Sequence, residues 1–310
     1  MAPLFKNKMI LGVKVESTKG TAVVPVGGDA IIAYDVSFKK EVTMAERRGG
    51  GASLGHTHGQ VIDSTRAGRA TFTTELKSDG TSPYWTNESQ TLFNACGLSL
   101  STATYTPSSS FSTHTTITLY QWLDGKLYAI YGAMGTFTIK NESGGRVLVD
   151  WDFLGIWASP TDTSIPTPTW ETATPMRTND SSGSLTVHSD SIKVGSFSFD
   201  VGNEVGLRED VGAAGGAISA IITSRNPTCS IDPEDDTVAN HDFYGKWLAG
   251  TQAALAIAVT DGTDTMTLTL PKFQYTELTQ ADRHGIATLD ATGVAIQNSA
   301  ADDEFTMVMS

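Results

Sequence analysis

The chain has 310 residues, enough for two domains of about 150 residues, each able to bury its own core. Asp and Glu outnumber Lys and Arg 34 to 21, giving a net charge of −13, which argues against a protein that grips phosphate backbones but suits a surface past which DNA slides. Two cysteines, Cys96 and Cys229, exclude a disulfide framework or a four-thiolate zinc site within one chain and are expected as buried free thiols; no window approaches the ~20 apolar residues of a membrane helix.

The opening stretch reads as no secretory signal, which places synthesis and folding in the cytoplasm. Met9 to Glu16 alternates and ends in a Ser17-Thr18-Lys19-Gly20 turn, so a strand is expected there, with a second at Ala30 to Lys39. Glu41 to Gln60 has too few apolar residues to pack and reads as a long exposed excursion; Arg47, Arg48, His56 and His58 lie on it. Arg66 to Lys77 alternates, with Ala70, Phe72 and Thr74 on one face and Thr71, Thr73 and Glu75 on the other. Pro83 to Gly97 spaces Trp85, Leu92, Phe93 and Cys96 on a helical period, with Gly97 as its stop. Strands are then expected at Thr115 to Trp122, Leu127 to Tyr131, Gly135 to Asn141 and Val147 to Gly155. Prolines and polar residues interrupt every period over 158–184, a linker.

After the linker the order of features starts again. Ser198-Phe199 answers Ser37-Phe38, a second excursion beginning at Glu204 carries Arg208 and Glu209, Thr223-Ser224-Arg225 answers Ser64-Thr65-Arg66, and Phe243 to Leu255 answers the first helical stretch. The expected division is a first domain over 1–160, a linker over 161–185 and a second domain over 186–310.

No chemistry of catalysis stands out. His56-x-His58 could form half a metal site but lacks a third ligand, and Asp232 to Asp236 lacks the ligand spacing of an EF-hand. The Gly-rich stretches match neither a dinucleotide fingerprint nor a phosphate loop, and no nucleophile elbow occurs. Neither enzyme activity, nor a cofactor, nor a metal is expected. Trp122, Trp151, Trp157, Trp170 and Trp247 are assigned to packing, with a carbohydrate-binding module as the rival reading.

Several pieces, in their order, resemble the tail tube (major tail) proteins of siphophages: Leu11 to Thr21, Arg69 to Leu76, Cys96-Gly97-Leu98, Gln121 to Gly125 and Gly132 to Thr136. The resemblance implies a mainly β fold, with tandem β-sandwich or partly open barrel domains each flanked by one α-helix. It implies a virion component assembled in the host cytoplasm, three chains forming a pseudo-hexameric ring, rings stacking into a tube, and DNA crossing the lumen without tight binding. Tape-measure, terminator and tail-tip proteins are the implied partners, and another virion role at the tail tip or capsid surface is the alternative. On that reading Glu75, Glu142, Asp150 and Asp152 are expected to face the lumen, and Arg47, Arg48, His56, His58, Arg208 and Glu209 to serve ring stacking.

Overall fold

A computed structural model describes residues 3–49, 54, 57–178 and 184–310. The first half contains β1 (Met9–Val15), β2 (Ala30–Ile31), β3 (Tyr34–Glu41), β4 (Met44–Arg48), β5 (Thr57–Ile62), β6 (Ala67–Glu75), α1 (Asn87–Ala95), β7 (Leu98–Ser101), β8 (Thr104–Pro107), β9 (Ile117–Leu123), β10 (Lys126–Glu142) and β11 (Leu148–Asp162). The second contains β12 (Ser184–Val187), β13 (Asp190–Ser191), β14 (Val194–Asp200), β15 (Asn203–Glu209), β16 (Ala217–Arg225), β17 (Thr228–Pro233), α2 (Phe243–Leu248), β18 (Ala253–Thr260), β19 (Thr265–Arg283), β20 (Ile286–Ala295) and β21 (Thr306–Met309). The fold is mainly β with two helices, as the sequence leads one to expect.

Every strand pairing is antiparallel, and the pairing order repeats. In the first half β1 pairs β9, β9 pairs β10, β10 pairs β11, β11 pairs β6 and β6 pairs β3. In the second, β12, β18, β19, β20, β17 and β14 join in the same sequence. Each half also inserts a two-stranded hairpin between its equivalent strands, β4–β5 and β15–β16. Among the described residues the ladder never returns to its start, so it forms open sheets and not a closed barrel.

The halves are joined by hydrogen-bonded strands. β10 pairs β14, with Thr138 opposite Asp200 and Glu142 opposite Ser196. A single front sheet therefore runs β3, β6, β11, β10, β14, β17, β20, β19 across the molecule. Behind it lie β2, β1, β9 and the beginning of β10 on one side, and β12, β18, the beginning of β19, β21 and the β7–β8 hairpin on the other. The C-terminal β21 thus bridges second-half β19 and first-half β8. One apolar core fills the space between and draws on both halves, from Leu11 to Met309.

Where boundaries differ from expectation, a local reason is visible. The anticipated Ala30 to Lys39 strand is split at Ile32-Ala33, where β2, paired with β1, gives way to β3, paired with β6; Asp35, with φ of 51°, then marks a register irregularity within β3. The two strands anticipated at 127–131 and 135–141 are one, because Gly132 and Ala133 form a bulge that bends β10 and leaves it continuous. The second helix is shorter than expected and gives way to β18, while β7, β8 and β21, short and irregular in period, were not anticipated. The proline-rich segment is strapped down: Met176 is fully buried, donates to the Leu76 carbonyl and accepts from Val147 N, while Arg177 N reaches Thr260 O.

Candidate functional site

The front sheet presents one face to the core and the other outward. In β6 Gly68, Ala70, Phe72 and Thr74 are buried and Arg69, Thr71, Thr73 and Glu75 alternate with them, because successive side chains in a strand point to opposite sides. The same alternation holds along β11, where Val149, Trp151 and Phe153 are buried between Asp150 and Asp152, and along β14, where Phe197 and Phe199 flank Ser198. The registers bring the outward residues into rows: Lys39 by Arg69, Thr71 by Asp152, Thr138 by Asp200, Ser230 by Thr292, Thr279 by Asp290.

All four carboxylates expected in the lumen, Glu75, Glu142, Asp150 and Asp152, lie on this outward face. Three of them are tethered within the chain. Glu75 accepts from Arg146 Nη1 at 2.9 Å and from the Tyr34 hydroxyl at 3.1 Å, Asp150 from Thr73 Oγ1 at 2.5 Å and from Lys140, and Asp152 pairs with Arg69 at 3.4 Å. Partial burial raises the Asp152 carboxyl above its ordinary range, an effect opposed by Arg69.

The second half adds Asp200, Asp232, Glu277 and Asp290 to the same face, residues that sequence reasoning missed. Their signal was the alternation of β14, β19 and β20, legible only once the halves are aligned strand by strand. With Glu41, the strands of this face carry nine carboxylates against Lys39, Arg69, Lys140 and Arg283. Among the described residues no Lys or Arg pairs with Glu142, Asp200, Glu277 or Asp290, so the excess negative charge is concentrated in the second half. Most remaining positions are Ser and Thr.

The sheet has two uncovered edges. Among the described residues, β3 at one end pairs only with β6, and at the other residues 277–283 of β19 pair only with β20. Such rows of unpaired N–H and C=O groups template further strand addition unless a partner covers them.

The excursions are both hairpins but stand differently. β15–β16 lies back on the first half: Asn203 Nδ2 donates to the Cys96 carbonyl at 2.7 Å and to Gly135 O at 3.0 Å, and Arg225 Nη1 donates to Ser108 O at 3.5 Å while its Nη2 pairs with second-half Asp302 at 3.0 Å. Arg208 and Glu209 near its tip are exposed. β4–β5 carries exposed Arg47 and Arg48; His56 lies outside the described residues, and His58 is described only as part of the β5 backbone. Arg69 is engaged by Glu41 and Asp152, while Asp232 and Glu234 both hold Arg283.

Of the tryptophans assigned to packing, Trp170 and Trp247 are instead exposed, at 41% and 36%. Trp122 and Trp151 are buried, as are the free thiols of Cys96 and Cys229; burial pushes the Cys229 thiol up to about 12. His188 and His241, distant in sequence, meet in the second half with ring centroids 6.1 Å apart. His241 Nδ1 lies 2.7 Å from Asp190 and Nε2 lies 3.3 Å from the Tyr275 hydroxyl, and burial lowers both imidazole pKa values.

The class these features define is an open-edged, antiparallel β-protein with an acidic, hydroxyl-rich face. The chain matches the family model described as phage tail tube protein over residues 6–305, and it belongs to that family. No curated protein matches it.

Proposed function

We propose that the chain is a self-assembling subunit of a phage tail tube, in which three copies close a ring, rings stack, and DNA passes through the bore from capsid to host. The single observation that carries this reading is the continuous eight-strand front sheet with an open edge at each end. Within the chain β10 and β14 join edge to edge; β19 and β3 occupy the equivalent positions, so β19 of one copy joins β3 of the next in the same antiparallel sense. Each repeat contributes four strands, consistent with two tandem units over 1–160 and 186–310 connected by 161–185.

Three such sheets closed edge to edge, at ~4.8 Å strand spacing and ~40° tilt, give a backbone diameter of about 48 Å. The outward face becomes the bore. Its carboxylates repel phosphate and its hydroxyls hold water, so DNA meets no adhesive site. The exposed hairpin tips, including Arg47, Arg48, Arg208 and Glu209, reach the next ring; tape-measure, terminator and tail-tip proteins bound the tube. The reading involves no enzymatic step.

Electron microscopy of the purified protein at rising concentration tests the reading. Hollow rings and stacks with a DNA-wide bore are expected. A species that stays monomeric at high concentration, with β3 and residues 277–283 protected from hydrogen exchange, would overturn it.

A further inference from the structure

The seam between the two halves of the chain has a second component besides the β10–β14 ladder, and its counterpart on the free side of the molecule is uncovered. β15–β16 lies across the bulge of β10 and the end of α1. Ala217, Ser219 and Ala220 are buried there, and a Cβ on Gly97, the residue after the α1 cap, would stand 2.9 Å from Ile222 Cδ1. At its base Asn203 sits opposite Arg225.

β4–β5 has the same base. Asp63 N donates to Thr43 O at 3.0 Å, as Asn226 N donates to Gly202 O at 3.1 Å, which places Met44 and Ile62 where Asn203 and Arg225 stand. These two apolar residues are 50% and 47% exposed. The surface equivalent to the docking site, at the end of α2, is also bare. α2 is capped by Ala249 and followed by Gly250 at φ 62°, as α1 is capped by Cys96 and followed by Gly97 at φ 77°. Leu92 and Phe93 on α1 are fully buried, whereas Leu248 on α2 is 80% exposed and Trp247 is 36% exposed.

We infer that the β4–β5 hairpin of one copy lies laterally on the α2 end of its neighbour in the same ring, repeating between chains the clasp that β15–β16 makes within the chain. This rests on the ring reading above and assigns the body of the first hairpin to ring closure, leaving its tip for stacking. The two clasps differ in chemistry. The intrachain one is polar at its base, through Asn203 and Arg225; the interchain one joins apolar Met44 and Ile62 to apolar Trp247 and Leu248. A hairpin seated on the wrong half would bury unpaired polar groups, so the difference fixes which half meets which.

The test uses full-length chain carrying Met44→Asp or Leu248→Asp. Both sites are exposed, so thermal melts of the monomer are expected to match wild type, while the fraction in rings by native mass spectrometry falls at least about tenfold; Met44→Lys combined with Leu248→Asp restores it. In a second arm, Met44→Cys with Leu248→Cys, oxidised by copper-phenanthroline under dilute conditions where rings do not stack, gives covalently closed rings. Unaltered ring formation by the aspartate variants, with cross-links appearing only in stacked material, overturns the lateral clasp and leaves the tube reading standing. Absence of rings in wild type overturns both.

Discussion

A single carboxylate explains one of the most legible pieces of the sequence. Glu16 is buried and accepts four hydrogen bonds, from Thr116 Oγ1 at 2.6 Å, Thr118 Oγ1 at 2.8 Å, Gly20 N at 2.8 Å and Gly132 N at 2.6 Å. It ties the turn after β1 to β9 and to the bulge of β10, and both glycines adopt positive φ values that place their N–H groups on it. Glu16→Ala leaves four donors without their acceptor and is expected to cost about 3–5 kcal/mol in urea unfolding, with Glu16→Gln milder. A second carboxyl has a pH signature. Burial raises Glu88, in the first turn of α1, to about 7, against the attraction of Lys77. Because the folded value lies above the unfolded one, the folded state holds the proton more tightly. Stability is therefore highest below about pH 4.5 with respect to this group and declines as pH rises through 7. Glu88→Gln removes that decline, and the gain over wild type at pH 8 is on the order of 2 kcal/mol by thermal melts. A gain equal at pH 5 and pH 8 would assign the effect to something other than ionisation. In the core, Phe93 meets Phe137 at 4.9 Å and Trp151 at 5.0 Å between ring centroids, and Phe137→Ala is expected to cost about 3–5 kcal/mol.

Elements were legible where one physical signal dominated. β6 shows an uninterrupted period of two, and α1 has Thr86 accepting from Ser89 N as its N-cap and Gly97 after its C-cap, so both stood out in the amino-acid pattern. β7, β8 and β21 did not, because each has only four residues; β7 forms a short hairpin with β8, and β8 in turn is held by β21 from the far end of the chain, with Met307 opposite Tyr105. α2 was overextended because the apolar run of β18 follows it directly, and a short apolar run fits either period. The outward acids of the first half were readable from β6 and β11; those of the second required the register across the β10–β14 seam. The hairpin tips belong to this scale as well. Removing residues 49–56, a stretch of four glycines in which Leu54 is the one large apolar residue, is expected to leave the melting temperature within ~2 °C of wild type and to permit rings but not tubes. Sedimentation and electron microscopy distinguish these outcomes, and full-length tubes from the shortened chain would remove the tip from stacking.

For the whole molecule, the proposed bore must guide a polyanion without holding it. A neutral bore would let any exposed Lys or Arg act as a trap, since every phosphate neutralised releases counterions and adds affinity. Among the described residues the face neutralises three of its four cations, Lys39 being the exception. Lys140 is held by Asp150, Arg69 by Glu41 and Asp152, and Arg283 by Asp232 and Glu234, so both arginines of these strands are already engaged. The unpaired carboxylates Glu142, Asp200, Glu277 and Asp290 then supply net repulsion. This division predicts two kinds of variant. Asp200→Lys with Asp290→Lys removes two carboxylates from this face and puts two cations in their place, and tubes assembled from it are expected to retain duplex DNA in filter binding at ~50 mM salt, with retention falling steeply by ~200 mM. Asp150→Asn releases Lys140 and is expected to produce a weaker effect of the same sign. Tubes of the doubly substituted chain that retain no more DNA than wild type at low salt would place this face away from the bore.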